Sequence, residues 1–379
     1  MVKVPGNGRV SGQGMMGWIG QTDLDYAGFD PAGLARGSAG FGLPDPNAIL
    51  PVGSLVVEAH LAARPGASQP VLRYQRHDAW ARKLRVALQP DGTVSVFQRQ
   101  GLARFEASLT MVRPPIETFL RITFSWDAPK RAALLTVEIP GQDLIYQAEA
   151  AAPLPMPLAD IREIVLNGPA VRIGPDTRFV AFSDKVEPVG LPLGVLGGTP
   201  VETPTGPRPI EHLQPGDLVV TLAGRARPVR WLARRDVPAL GRFRPVRLRA
   251  PYFGLTRDVL CAPDHRVVVT GAEAEYQLGE PAVLVEAAHL ADGRSVCRER
   301  PDSPVLSYFH VLLERHECLG HCGAWTESLF VGAIGQARDV LKTTALAPLP
   351  YAAIPRHRQL ALPALGEIQA RALAHSMSA

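Results

Sequence analysis

Within seven residues, His316-Glu317-Cys318-Leu319-Gly320-His321-Cys322, the chain crowds together two imidazoles and two thiols. These are zinc-ligand types. Their spacing matches no common structural zinc signature and no second ligand pair accompanies it, so the expectation is packed cysteines on strands, with no metal and no cofactor. A second candidate is His265, in Ala262-Pro263-Asp264-His265. An imidazole can protonate a leaving group if its pKa lies near the working pH and it reaches the reacting atom. A third is the stretch Arg225–Arg249, where nine arginines face one acid, Asp236. Phosphate contacts need such charge, but only Trp231 and Phe243 interleave it. Arginines on the outer face of alternating strands are therefore expected, rather than a nucleic-acid surface. A fourth group is Trp126, Asp127, Trp80 and Tyr74, whose types could line a carbohydrate groove. The competing expectation is that Trp126 is core and that the residues around His77–Trp80 form a loop.

His265 belongs to an ordered series of blocks. Gly198-Thr199-Pro200-Val201 opens the series, and Pro215-Gly216-Asp217-Leu218-Val219-Val220 follows a short turn. Then come Ala262-Pro263-Asp264-His265-Arg266-Val267, Tyr308-Phe309-His310-Val311-Leu312-Leu313-Glu314-Arg315-His316-Glu317 and Trp325-Thr326-Glu327-Ser328. In this order the blocks resemble the bacterial Hint domain shared by hedgehog autoprocessing domains and inteins. The resemblance implies an all-β horseshoe over about residues 190–332. It also implies self-cleavage by a Cys, Ser or Thr at the domain's first residue, with the His of a Thr-x-x-His motif protonating the leaving amide. An amide is a poor electrophile, and a side-chain nucleophile splits its attack into easier steps.

This chain departs from that pattern where the chemistry starts. The nucleophile should lie five residues before Thr199, and Gly194 stands there. Ala262 replaces the motif Thr, Thr199 and Ser183 are out of register, and no Cys precedes Cys261. The only asparagines are Asn7, Asn47 and Asn167, so the C-terminal half has none to cyclise in intein-type splicing. The expectation is a degenerate site at His265, Gly194, Ala262 and Thr199, without enzymatic activity. The alternative is residual autoproteolysis near Leu193–Gly194 assisted by His265.

The elements around these residues read as strands. Leu120, Ile122, Phe124 and Trp126 alternate with Arg121, Thr123 and Ser125, the pattern of a half-buried strand. Leu84–Leu88 and Val94–Phe97 flank Pro90-Asp91-Gly92 and predict a hairpin. Further strands are expected at Leu55–Ala59, Phe105–Leu109, Leu134–Ile139, Leu144–Ala148, Ile161–Leu166 and Phe179–Phe182. So many short strands predict an antiparallel sandwich. With Phe124-Ser125-Trp126-Asp127 at a strand end, the region resembles laminin-G/concanavalin-like jelly rolls.

The fold class is thus all-β: a jelly-roll-like β-sandwich followed by a Hint-type β-horseshoe. The expected division is an irregular entry segment over 1–50, the sandwich over 51–187, the Hint region over 190–332 and a tail over 333–379 with a short helix at Leu365–Leu373. The 379 residues suit two domains. A net charge of +4 does not by itself argue for nucleic acid. The expected partner is a glycan or a protein, bound by the sandwich. Neither a membrane span nor a secretory signal is visible, which makes a cytoplasmic address the default and export without such a signal the alternative. Four cysteines, all in the C-terminal half, are too few for a disulfide framework.

Overall fold

The computed structural model describes residues 17–36, 45, 48–62, 67–112, 117–142 and 144–378. Two antiparallel sheets make the N-terminal sandwich. The larger has seven strands, in the order Leu144–Ala151, Ala132–Ile139, Thr118–Asp127, Val52–Leu61, Thr177–Ser183, Trp18–Asp23 and Ala27–Phe29. The smaller has five: Val171–Ile173, Gln69–His77, Ala81–Leu88, Thr93–Gln100 and Ala103–Thr110. Leu55, Val57, Leu84, Val86, Val94, Val96, Ile122 and Phe124 fill the space between them. The expected hairpin forms: Gly92 takes a φ of 83°, and the Asp91 carboxylate accepts the Thr93 amide.

Two expectations are corrected here. Residues 1–50 are not irregular throughout, because Trp18–Asp23 lies inside the larger sheet, paired with Thr177–Ser183. Its short apolar run falls among glycines, which hides it from a pattern search. Ile161–Leu166 is not a strand; Leu158–Val165 is a helix. Ile161, Ile164 and Val165 are buried at the i, i+3, i+4 spacing of one helical face.

The second half holds a six-stranded sheet, in the order Trp231–Pro238, Val305–Leu312, Val195–Leu196, Val259–Cys261, Val246–Leu248 and Val296–Arg298. Ala282–Glu286, Arg266–Thr270, Ala324–Glu327 and Cys318–His321 form a four-stranded sheet. The tail packs against both. Ile334, Leu341, Leu346 and Ile354 cluster with Leu191 and Leu312. The final helix runs over Glu367–Ser378, and its Ala370 and Leu373 enter the main core of this half. No described helix is long and apolar enough to cross a membrane.

The outer face of the seven-stranded sheet is covered rather than solvated. Arg121, Thr123 and Ser125 are buried, like the apolar residues between them. Arg121 meets Glu58 at 3.3 Å and lies 3.8 Å from the centre of the Phe243 ring. Trp18 donates its indole N–H to the Asp236 carbonyl, and Arg244 pairs with Asp23 at 2.6 Å. Much of the arginine run is paired within the chain: Arg227 to Glu317, Arg230 to Glu314, Arg234 to Asp236, and Arg247 to Glu299 and Asp258.

The connection between the halves carries a pH-sensitive group. Glu187 accepts the Ser183 hydroxyl at 2.5 Å, and its amide donates to the Ser54 hydroxyl. Burial pushes its carboxyl up to about 7, against the Ser183 hydrogen bond and the charges of Lys185 and Arg235. The folded group thus keeps its proton up to about pH 7, whereas the unfolded one loses it near 4.5. Its contribution to stability is full below 4.5 and falls as pH rises through 7. Glu187→Gln keeps the acceptor and removes the charge. Urea denaturation should find it more stable than the parent above pH 7, by roughly 3 kcal/mol, with the gap closing at pH 4.5.

Candidate functional site

Gly194 immediately precedes the short central strand Val195–Leu196, which pairs with Val259–Cys261 on one side and Val305–Leu312 on the other. Its carbonyl accepts the Ala262 amide at 2.9 Å. A Cβ built on Gly194 would lie 2.0 Å from the Phe309 carbonyl oxygen and 3.0 Å from His310 Cα. Backbone therefore occupies the space that a side chain at 194 would need. From Ala262 the chain turns, with the His265 amide bonded to the Ala262 carbonyl, and delivers the buried His265 ring.

Three elements meet around that ring. Its Nε2 lies 2.8 Å from the Thr326 hydroxyl, and its Nδ1 is 4.0 Å from a Glu327 carboxylate oxygen. His310, from Val305–Leu312, stands edge-on at a ring separation of 4.9 Å. The His310 Nδ1–H donates to the Pro192 carbonyl at 3.3 Å. Glu327 accepts the Arg266 amide and guanidinium and sits 3.4 Å from His316 Nε2. The His316 Nδ1 accepts the Ala361 amide, which leaves Nε2 as the ring's donor toward Glu327.

Residues 194–333 match the family model described as the Hint domain. This region is a Hint domain. No curated protein matches the sequence. Among solved structures, the chain is similar to the CBM40 of Ruminococcus gnavus IT-sialidase, at 11% identity over 46% of this chain and 89% of that one, with a TM-score of 0.28. It is also similar to leech intramolecular trans-sialidase, at 11% identity over 36% of this chain and only 22% of that one, with a TM-score of 0.26. Sheep galectin-11 shows 12% identity over 37% and 91%, with a TM-score of 0.21. Likenesses this slight carry no argument about what the chain does.

Of the Hint-domain positions expected to form the site, Gly194, Ala262 and His265 come together through backbone hydrogen bonds. Thr199 does not join them through its side chain. Its backbone bonds to Leu196 and Ile210, and no hydrogen bond links it to His265 among the described residues. The site also contains His310, Thr326 and Glu327, which the sequence reading left without a role. They lie inside the blocks that carry the resemblance, but only strand pairing shows that they converge.

The electrostatics suit neutral imidazoles beside a charged carboxylate. Burial, with His310 alongside, pushes His265 well below the ordinary imidazole value. Burial lowers His310 too, against the pull of Glu327. For Glu327 burial works against the charge, but the His316 hydrogen bond and Arg266 override it and hold the carboxyl at about 2. Burial pushes the Cys261 thiol far up, so no thiolate is available there.

The His316–Cys322 stretch does not converge. His321 Nδ1 bonds to the Pro200 carbonyl, Cys322 accepts the Arg257 guanidinium, and His316 turns to Glu327. The proposed sugar-facing residues also separate. Trp126 and Tyr74 are each only 1% exposed. Trp126 stacks on Phe124 and donates to the Leu50 carbonyl, while Tyr74 donates to Asp160. Trp80 is 41% exposed beside the Arg82 guanidinium, near the turn joining Gln69–His77 to Ala81–Leu88. Asp127 pairs with Lys130 at the end of a strand in the other sheet. Trp126 and Tyr74 are thus core residues, because their strand positions face the opposing sheet. Trp126→Ala is expected to cost about 3–5 kcal/mol in denaturant unfolding, a loss of core rather than of a ligand contact.

Proposed function

We propose that this Hint domain no longer cuts its own backbone and acts as a scaffold for the sandwich, which is a binding module. The single observation behind this reading is the filled space at Gly194, where the Phe309 carbonyl lies 2.0 Å from the place of a Cβ. A missing nucleophile could be a recent substitution, but this backbone approach suits only a residue without a side chain. The division is a sandwich ending at about 187, the Hint region over 190–332 and a tail from 333. Intact-mass measurement on freshly purified protein tests the reading. A single 40.8 kDa species, unchanged by thiol or hydroxylamine, supports it. A fragment pair from a break near Leu193–Gly194 overturns it.

One observation favours a second reading, residual cleavage assisted by His265. The Thr326 hydroxyl is within hydrogen-bond reach of the imidazole, the arrangement that activates an alcohol. If fragments appear and Thr326→Val abolishes them while the protein stays folded, the second reading replaces the first.

For the sandwich, Trp80 offers the exposed aromatic face on which a sugar ring can stack, with Arg76, Asp78 and Arg82 beside it as hydrogen-bonding groups. Glycan-array binding that Trp80→Ala removes, with unfolding unchanged, supports a glycan ligand. Silence of the folded protein across a broad array counts against it.

A further inference from the structure

The space between His265, His310 and Glu327 holds more unmet valence than packing explains. His265 Nδ1 and His310 Nε2 are buried and have no hydrogen-bond partner. The carboxylate of Glu327 completes the group, and one donor atom from each residue lies within 4.8 Å of the others. The residues are 1%, 4% and 2% exposed. At 4.0 Å, His265 Nδ1 and Glu327 are too far apart to hydrogen-bond. An unpaired polar atom in the interior is costly, so two in one cluster with a buried carboxylate need an explanation.

We propose that His265 Nδ1, His310 Nε2 and a Glu327 oxygen bind one divalent transition-metal ion of the zinc class, with water as the fourth ligand. The donors are two imidazole nitrogens and one carboxylate oxygen, a set that suits zinc rather than calcium or magnesium. Zinc bonds of about 2.0–2.2 Å place tetrahedral ligands roughly 3.4 Å apart, so the three donors need to close only modestly. Their outer partners are in place. The Pro192 carbonyl takes the Nδ1 proton of His310, which leaves its Nε2 lone pair facing inward. The Thr326 hydroxyl can take the Nε2 proton of His265, which frees Nδ1 in the same way. His316 and Arg266 hold Glu327. Metal-binding histidines characteristically have their second nitrogen fixed like this.

Motif spacing could not reveal the site, because its ligands come from the turn after Val259–Cys261 and from two strands far along the chain. The ion would tie the two sheets of the Hint domain together. With Nδ1 on the ion and Nε2 protonated toward Thr326, His265 cannot activate that hydroxyl, so the proposal goes with the scaffold reading. A site this buried loads during folding, so the ion must be present during synthesis.

The test uses the full chain expressed in zinc-supplemented medium and purified without chelator, with metal measured by mass spectrometry. About one zinc per chain is expected, falling below about a tenth in His310→Gln. A Cys318→Ser/Cys322→Ser variant should keep it. Wild type with less than about a tenth of an equivalent, zinc retained by folded His310→Gln, or zinc lost with the cysteines each overturns the proposal. If His310→Gln does not fold, wild type grown with cobalt decides. Visible bands of tetrahedral cobalt without a sulfur charge-transfer band support the site. Their absence, or a thiolate band, overturns it.

Discussion

A cysteine placed at position 194 should not restart cleavage; it should loosen the fold. Its Cβ would meet the Phe309 carbonyl oxygen at 2.0 Å and the Phe309 carbonyl carbon at 2.9 Å. Those are backbone atoms of a strand paired on both sides, so no side-chain rotamer relieves the contact. Overpacking a core commonly costs 1–3 kcal/mol, and a clash with fixed backbone belongs at or beyond the top of that range. Gly194→Cys is therefore expected to lose about 3 kcal/mol or more in denaturant unfolding and to remain uncut. Gly194→Ala should lose as much, which attributes the effect to volume rather than to the thiol. Restoring Thr in the same chain, as Gly194→Cys/Ala262→Thr, should not rescue cleavage, because Ala262 is itself fully buried. A Gly194→Cys protein that is as stable as the parent and breaks before residue 194 would refute this account.

The second large effect is expected at the seam. Phe243 is 1% exposed, tilts against Phe179 at 5.9 Å and carries the Arg121 guanidinium on its face. Phe243→Ala should cost about 3–5 kcal/mol, from lost burial and the cavity left behind. It should also separate the unfolding of the two halves. Calorimetry is expected to show one transition for the parent and two for the variant, with faster proteolysis between residues 184 and 193. A single transition of unchanged shape would mean that the two halves do not depend on this contact.

Local pattern revealed much of the sandwich. The strands at Val52–Leu61, Ala132–Ile139 and Thr177–Ser183 contain the short apolar runs that predict them. The turn at Asp91-Gly92 was legible because turn chemistry depends on a few adjacent residues. What lay outside the sequence reading depends on what each element packs against. The alternation along Leu120–Trp126 implies one wet face, yet Arg121, Thr123 and Ser125 are buried because the second half covers them. A polar stripe looks the same whether it meets water or a matched partner. Trp126 illustrates the converse, since an aromatic at a strand end could serve a groove or a core, and only the opposing sheet decides. The tail, broken by prolines, showed no periodicity over most of its length, yet Leu341, Leu346 and Ile354 are buried. At the site, family spacing located His265 and Gly194. His310 and Glu327 became visible only when strands Val305–Leu312 and Ala324–Glu327 were placed.

The seam and the tail have a practical consequence for anyone looking for a cut. Trp18, near one end of the chain, is bonded to Asp236, and the tail is bound to Leu191 and Leu312 on either side of position 194. A nick there would leave both pieces gripping each other, and the particle would elute from a sizing column as if whole. Only a denaturing gel or a mass spectrum would reveal that the covalent thread had parted.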